Sequence, residues 1–154
     1  MFIVTHAAIG AIIGEKAHSP LIAMAGGFIS HFLTDIIPHG DTKMYFNYKR
    51  GEQIKRALAY VVVDGVVTVF FVLMLFNFRD FQHPLNVSLG IAFGILPDLL
   101  VGLFEVGRAR WLAKFHALHF YFHNMISGRK FDLSFRAGFI LQLILLTLLQ
   151  LRVF

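Results

Sequence analysis

The stretch from 56 to 78, RALAYVVVDGVVTVFFVLMLFNF, most restricts how this chain can fold. A helix needs about 20 predominantly apolar residues to cross a bilayer. This run supplies them, with one acid inside it, Asp64. Four further apolar segments lie at 2 to 14, 20 to 38, 85 to 104 and 133 to 151. The first is short, and its small residues at 7, 8, 10, 11 and 14 suit a half-helix or an element packed inside a bundle. With 57% hydrophobic residues and 18 phenylalanines, the composition exceeds what a soluble domain of this size carries. The expected fold is therefore all-α: an integral membrane bundle of about five helices, forming a single domain over residues 1–154.

A sixth segment behaves differently. Residues 111 to 126, WLAKFHALHFYFHNMI, mix Trp111, Lys114 and three histidines among aromatics, as an amphipathic interfacial helix does. The N-terminal MFIVTHAAIGAIIGEKAHSP has neither the basic start nor the small-residue cleavage site of a signal peptide, so it is expected to remain in the mature protein.

Charge sets the expected orientation. Lys43, Lys49, Arg50, Lys55 and Arg56 cluster in one connection, and Arg108, Arg110, Lys114, Arg129 and Lys130 in another; the turns between carry only Lys16 and Arg79. The positive-inside rule makes both basic connections cytoplasmic. The net charge of +5 thus reads as topology and attraction to anionic membrane lipids. It does not point to nucleic acid, because the basic residues form no stripe interleaved with aromatics.

Against this apolar background, residues 30 to 41, SHFLTDIIPHGD, stand out. Ionisable groups in hydrocarbon are expensive and mark functional sites. On a helix His31, Asp35 and His39 fall at i, i+4 and i+8, on one side. Pro38 then ends or bends the helix, and HGD follows as a turn carrying Asp41. His119 and His123 repeat the i, i+4 spacing, with which two histidines can bind one metal from a single helical face. Asp98 follows Gly94 and Pro97, which are expected to loosen the helix just ahead of it. His6 opens the first segment. On the charge-derived topology, His6, His39, Asp41, Asp64, Asp98, His119 and His123 all lie in or at the cytoplasmic half, with His31 about 12 Å deeper than His39.

With no cysteine in the chain, disulfides, thiolate metal sites and thiol nucleophiles are excluded. Imidazole and carboxylate donors suit a divalent metal: zinc first, with manganese or iron as alternatives. Such a metal keeps buried carboxylates ionised, and in a hydrolase it activates water and polarises a carbonyl or phosphoryl oxygen.

SHFLTDIIPHGD, together with THAAIG and GILPD, resembles the pattern of the bacterial and archaeal membrane-bound metal-dependent hydrolases, which have been compared to the zinc-dependent phospholipase C and single-strand nuclease fold. The resemblance covers residues 1 to 43 and 90 to 100 closely. It implies His6, His31, Asp35 and Asp98 as metal ligands, His39 and Asp41 as neighbours or further ligands, and a prokaryotic plasma membrane. The HR-x-x-THS stretch of many relatives is replaced here by HALHFYFHN, so ligand roles for His119 and His123 rest on spacing alone.

The expected activity is hydrolysis of an ester or phosphoester, with a lipid as the substrate that the bilayer location favours. Asp35, Asp41 or Asp98 would ligate the metal or act as general base. Two rivals use the same residues: a metal transporter or sensor, and a non-catalytic membrane protein whose polar residues join helices, each such contact being worth about 1 kcal/mol.

Overall fold

The computed structural model of the protein describes residues 1–127 and 131–153, and every regular element among them is helical. The helices are α1 (Ile3–Lys16), α2 (Pro20–Asp35), α3 (Thr42–Lys49), α4 (Ile54–Phe78), α5 (Pro84–Glu105), α6 (Ala113–Ser127) and α7 (Phe135–Val153), with a 3-10 turn at Arg110–Leu112 ahead of α6. All five apolar segments drawn from the sequence are helices, and the amphipathic one corresponds to α6. Of the basic residues used for orientation, Arg129 and Lys130 lie outside the described residues.

Local chemistry explains the helix ends. Ser19 caps α2 by accepting from the Ile22 N–H at 3.3 Å, with Pro20 at the first helical position. The α2 helix stops at Asp35, short of the apolar segment's end at 38, because Pro38 offers no N–H and disfavours helical geometry at Ile37. His39 consequently stands on the following turn rather than two helical turns beyond His31. Pro97 behaves otherwise: α5 runs through it unbroken. At this level α5 packs against both α1 and α2, and these neighbours hold the helix where its sequence would loosen it.

The α1 helix is an internal element of the bundle. Ala7, Ala8 and Ala11 are buried, and α1 packs on α2, α5, α4 and α7. Its contact with α5 is backbone to backbone: a Cβ on Gly10 would lie 2.3 Å from the Gly90 carbonyl oxygen. A Cβ on Gly27 of α2 would lie 2.4 Å from that same oxygen. Small residues at such positions let three helices meet closely enough for van der Waals packing to hold them. Beside this seam Phe2, Val4, Phe71, Leu75, Val87 and Ile91 form the apolar core.

The α4 and α5 helices are long and apolar enough to cross a membrane; the apolar part of α7, Phe135–Leu151, is shorter. Much of α4 faces outward with apolar side chains, among them Val62, Val63, Val66 and Phe70. The start of α1, the end of α2, the start of α4, the end of α5 and the start of α7 meet at one end of the bundle. There the polar residues gather.

Candidate metal centre

Two groups of ligand-type side chains lie at that end. The first joins His31 and Asp35 of α2, Asp98 of α5 and His119 of α6. His31 Nε2 lies 3.3 Å from Asp35 Oδ2 and 3.7 Å from Asp98 Oδ1. His119 Nε2 lies 3.5 Å and 3.9 Å from those same two oxygens. His31 Nδ1–H donates to the Gly94 carbonyl at 2.9 Å, which leaves the Nε2 lone pair facing the group. Such an outer hydrogen bond sets the tautomer and aim of a ligating histidine. His31 Nε2, Asp35 Oδ2, Asp98 Oδ2 and His119 Nδ1 are buried without a hydrogen-bond partner among the described residues. Orphaned polar atoms are costly unless something else satisfies them. Burial lowers the His119 pKa to about 4, against the pull of Asp98 and Asp35, so its imidazole is neutral and its lone pair available.

The second group joins His39 and Asp41 of the HGD turn to His123 of α6. Asp41 Oδ1 lies 3.0 Å from His39 Nε2 and 3.2 Å from His123 Nε2, and the two nitrogens are 3.1 Å apart. His39 Nδ1–H donates to the Ile37 carbonyl at 2.7 Å, so its Nε2 also points a lone pair inward. Burial opposes the charge on Asp41, but His39 and His123 hold its carboxyl well below the usual carboxylate range. Burial likewise opposes protonation of His123, and Asp41 outweighs it, raising that pKa.

Each group could hold a metal ion, since one ligand atom from each of its residues lies within 4.8 Å of the others. Zinc bonds of about 2.0–2.1 Å in a tetrahedron place neighbouring donors about 3.3 Å apart. The first group's separations, 3.3–3.9 Å, lie at or somewhat above that value, and the second's, 3.0–3.2 Å, just below it. The donors are nitrogen and oxygen without sulfur, a set shared by zinc, manganese and iron.

The groups adjoin one another. The Met1 amino nitrogen lies 2.7 Å from Asp35 Oδ1 and 2.8 Å from His39 Nε2, touching a residue of each. His6 Nε2 reaches the same Asp35 oxygen at 3.1 Å, its ring stacked on His31 at 4.0 Å between centroids. Thr34 donates its hydroxyl to the Ser30 carbonyl at 2.8 Å, and its Oγ1 lies 3.3 Å from His6 Nδ1.

The structure thus brings together all seven residues read from the sequence as ligands, but His6 lies beside the first group rather than within it, and the other six are divided differently. His119 and His123 do not share one ion's position; each joins a different group. Likewise His31 and Asp35 part from His39, because α2 ends between them. Asp64 lies outside both groups: its carboxylate accepts from the Ile3 N–H at 2.7 Å and the Val4 N–H at 3.4 Å, capping α1 from α4. His18 and His83, in turns away from the site, are exposed, whereas His116 joins Glu105 at 2.8 Å.

Sequence reasoning missed the residues that grip the turn. Asp132 accepts from the Gly40 N–H at 3.0 Å and the Thr42 N–H at 3.1 Å. Gln142 of α7, fully buried, donates to the His39 carbonyl at 3.4 Å. A buried amide inside the otherwise apolar run of α7 was the available signal for Gln142; Asp132 carried none.

A cavity of about 230 Å³ opens beside the groups, with Asp41, Asp98, His119 and His123 in its wall. Asp35 is not among its lining residues. Comparison with protein-family models, curated proteins and solved structures finds no match for this chain.

Proposed function

We propose that this is a membrane-embedded hydrolase that uses two divalent cations, zinc in the first instance, to cleave a phosphoester. One observation carries the reading: two sets of inward-aimed imidazole and carboxylate donors, several of them buried and unsatisfied, share a wall with a cavity. The resemblance of SHFLTDIIPHGD to the membrane-bound metal-dependent hydrolases supports it. So do the two membrane-length helices and the apolar outward face of α4, which suit a membrane bundle; the resemblance supports a prokaryotic plasma membrane, and the basic connections a site at its cytoplasmic end.

Paired cations at such a site supply Lewis acidity to the ester oxygens and acidify a water molecule. The chain's own residues then divide the remaining tasks. His31, His119 and Asp35 hold the first position, and His39, His123 and Asp41 the second. Asp35, buried and outside the cavity wall, serves as a ligand only. Asp98 borders the cavity and its side chain is 20% exposed, against 1% for Asp35, so its carboxylate is the one placed to take the proton from the attacking water.

A transport role has less support. Behind the site Val4, Ala7, Ala8, Ala11, Val87 and Ile91 form an apolar core, and both groups of ligand-type side chains found among the described residues lie at the one end of the bundle.

The test is elemental analysis of detergent-purified protein. Wild type should carry metal at about two equivalents, one for each donor set. The double variant His31→Ala, Asp35→Ala should lose the first and cleave no phosphoester. Metal-free wild type, after zinc or manganese has been supplied, would withdraw the proposal in favour of a structural role for these residues.

A further inference from the structure

The cavity is built with two unlike ends. Its polar end holds Asp41, Asp98, His119 and His123, and Asp64 and Glu105 also reach its wall; between α4 and α5 the lining is apolar, with Leu58 and Val61 on one helix and Val101, Gly102 and Val106 on the other. The α4 helix packs on α1 and α3 but has no comparable packing on α5, so at this level the cavity separates the two membrane-length helices. The edge of this gap is apolar and open: Leu58, Val61 and Val106 are 45%, 56% and 73% exposed.

The aqueous side is tied across. Tyr45 of α3 donates its hydroxyl to Glu105 at 2.9 Å, Lys49 of α3 reaches Glu105 at 3.0 Å, and His116 of α6 lies 2.8 Å from it. These bonds fasten α3 to the ends of α5 and α6 beside the cavity. Among the described residues no such tie crosses the gap between α4 and α5. Val61 lies about 10 Å along α4 from its first residue, at about 1.5 Å per residue, and Val101 one turn before the end of α5. In a bilayer the gap would therefore open just below the headgroups.

Resting on the two-cation reading, we propose that the substrate is a phosphate-headed lipid entering sideways through this gap. Its phosphate meets the His/Asp groups, the first stretch of its chain lies between Val61 and Gly102, and the rest stays in the bilayer. The cavity volume agrees, because about 230 Å³ is below the range of about 300–1,000 Å³ typical of pockets that enclose a whole drug-sized ligand. A head and a few methylenes fit; two acyl chains do not.

The experiment is binding of two non-hydrolysable probes, dodecylphosphonate and methylphosphonate, to zinc-loaded protein in nanodiscs. Wild type is compared with Gly102→Trp and Val61→Trp, so that partitioning of the long probe into the bilayer cancels. Gly102→Ala is the control, since a Cβ there meets nothing within 4 Å. Each buried methylene is worth roughly four-fold in affinity, so a tryptophan displacing two or more should cut the preference for the long probe about ten-fold or further. Both tryptophan variants should retain their zinc. An unaltered preference, with methylphosphonate bound and short phosphoesters still cleaved, would overturn lateral lipid entry and leave the hydrolase standing with a water-soluble substrate. Failure of zinc-loaded wild type to bind either probe would overturn both.

Discussion

The two His/Asp groups offer similar donors from opposite kinds of support. Three of the four ligands in the first group ride on α2 and α5, helices locked by backbone contact, Gly27 of α2 on Gly90 of α5 and Gly90 in turn on Gly10 of α1. Two of the three in the second ride on a turn, His39-Gly40-Asp41, where Gly40 has φ +86°. That turn is held from a distance by Asp132 and by α7. The first group is thus fixed by the fold itself, whereas the second is fixed by a few tethers. Only α6 serves both, through His119 and His123.

The largest effect should come from attacking the support of the first group. In Gly90→Val the new Cβ alone would stand 2.2 Å from the Gly10 carbonyl oxygen, and neither backbone can yield without parting α1 from α5. Overpacking usually costs about 1–3 kcal/mol, and a backbone clash belongs at or above the top of that range. The expected outcome is a thermal midpoint at least about 10 °C lower, with both metal equivalents lost, read by thermal denaturation and elemental analysis of the same preparation. A stable variant with full metal would mean that the seam does not support the site.

Next in size is the counterpart on the second group. A Cβ on Gly138 of α7 would fall 1.9 Å from the His39 carbonyl oxygen, so Gly138→Ala must push the turn away from α7. Disturbing a ligand's outer support typically costs 10–100-fold in metal affinity, and about that loss is expected at the second site while the first keeps its ion. Competition with a graded series of chelators reads the two equivalents separately. Equal loss from both would show that they form one unit, and the contrast between helix and turn would fail.

The same contrast explains what the sequence could and could not reveal. Helical spacing related His31 to Asp35, the run from 56 to 78 announced α4, and the small residues of the first segment foretold its close packing. What escaped was set by contacts between distant parts of the chain. Nothing at i, i+4 reveals that His119 and His123 diverge to different groups, because their partners come from α2, α5 and a turn far away in sequence. Pro97 suggested a loosened helix that packing overrides. Asp132 reads as an ordinary loop acid until Gly40 and Thr42 are seen to donate to it.

Asp132 supplies the third prediction. Asp132→Ala removes the acceptor for two backbone N–H groups of the turn, and an unsatisfied donor costs about 1–3 kcal/mol when it stays buried. Part of that cost is relieved because the turn can shift toward water. Faster amide exchange at Gly40 and Thr42, with a weaker second metal and a thermal midpoint only slightly lowered, is the expected result. Unchanged exchange at both amides would mean that α7 alone fixes the turn.

Asp64 should give the smallest change and the most even one. Its carboxylate caps the N–H groups of Ile3 and Val4 from α4, and it touches neither group directly. Through α1, however, it sets the position of His6, beside the first group, and of Met1, which touches both. Asp64→Asn keeps one carbonyl acceptor and removes the charge, so the loss should be at the low end of helix-capping effects, about 0.5 kcal/mol. That corresponds to roughly two-fold weaker metal binding if it is felt in full at the site. The informative quantity is the ratio between the two sites: a cap acting through α1 should weaken both alike. A loss confined to the first site would show that His6, rather than the placement of the whole helix, transmits it.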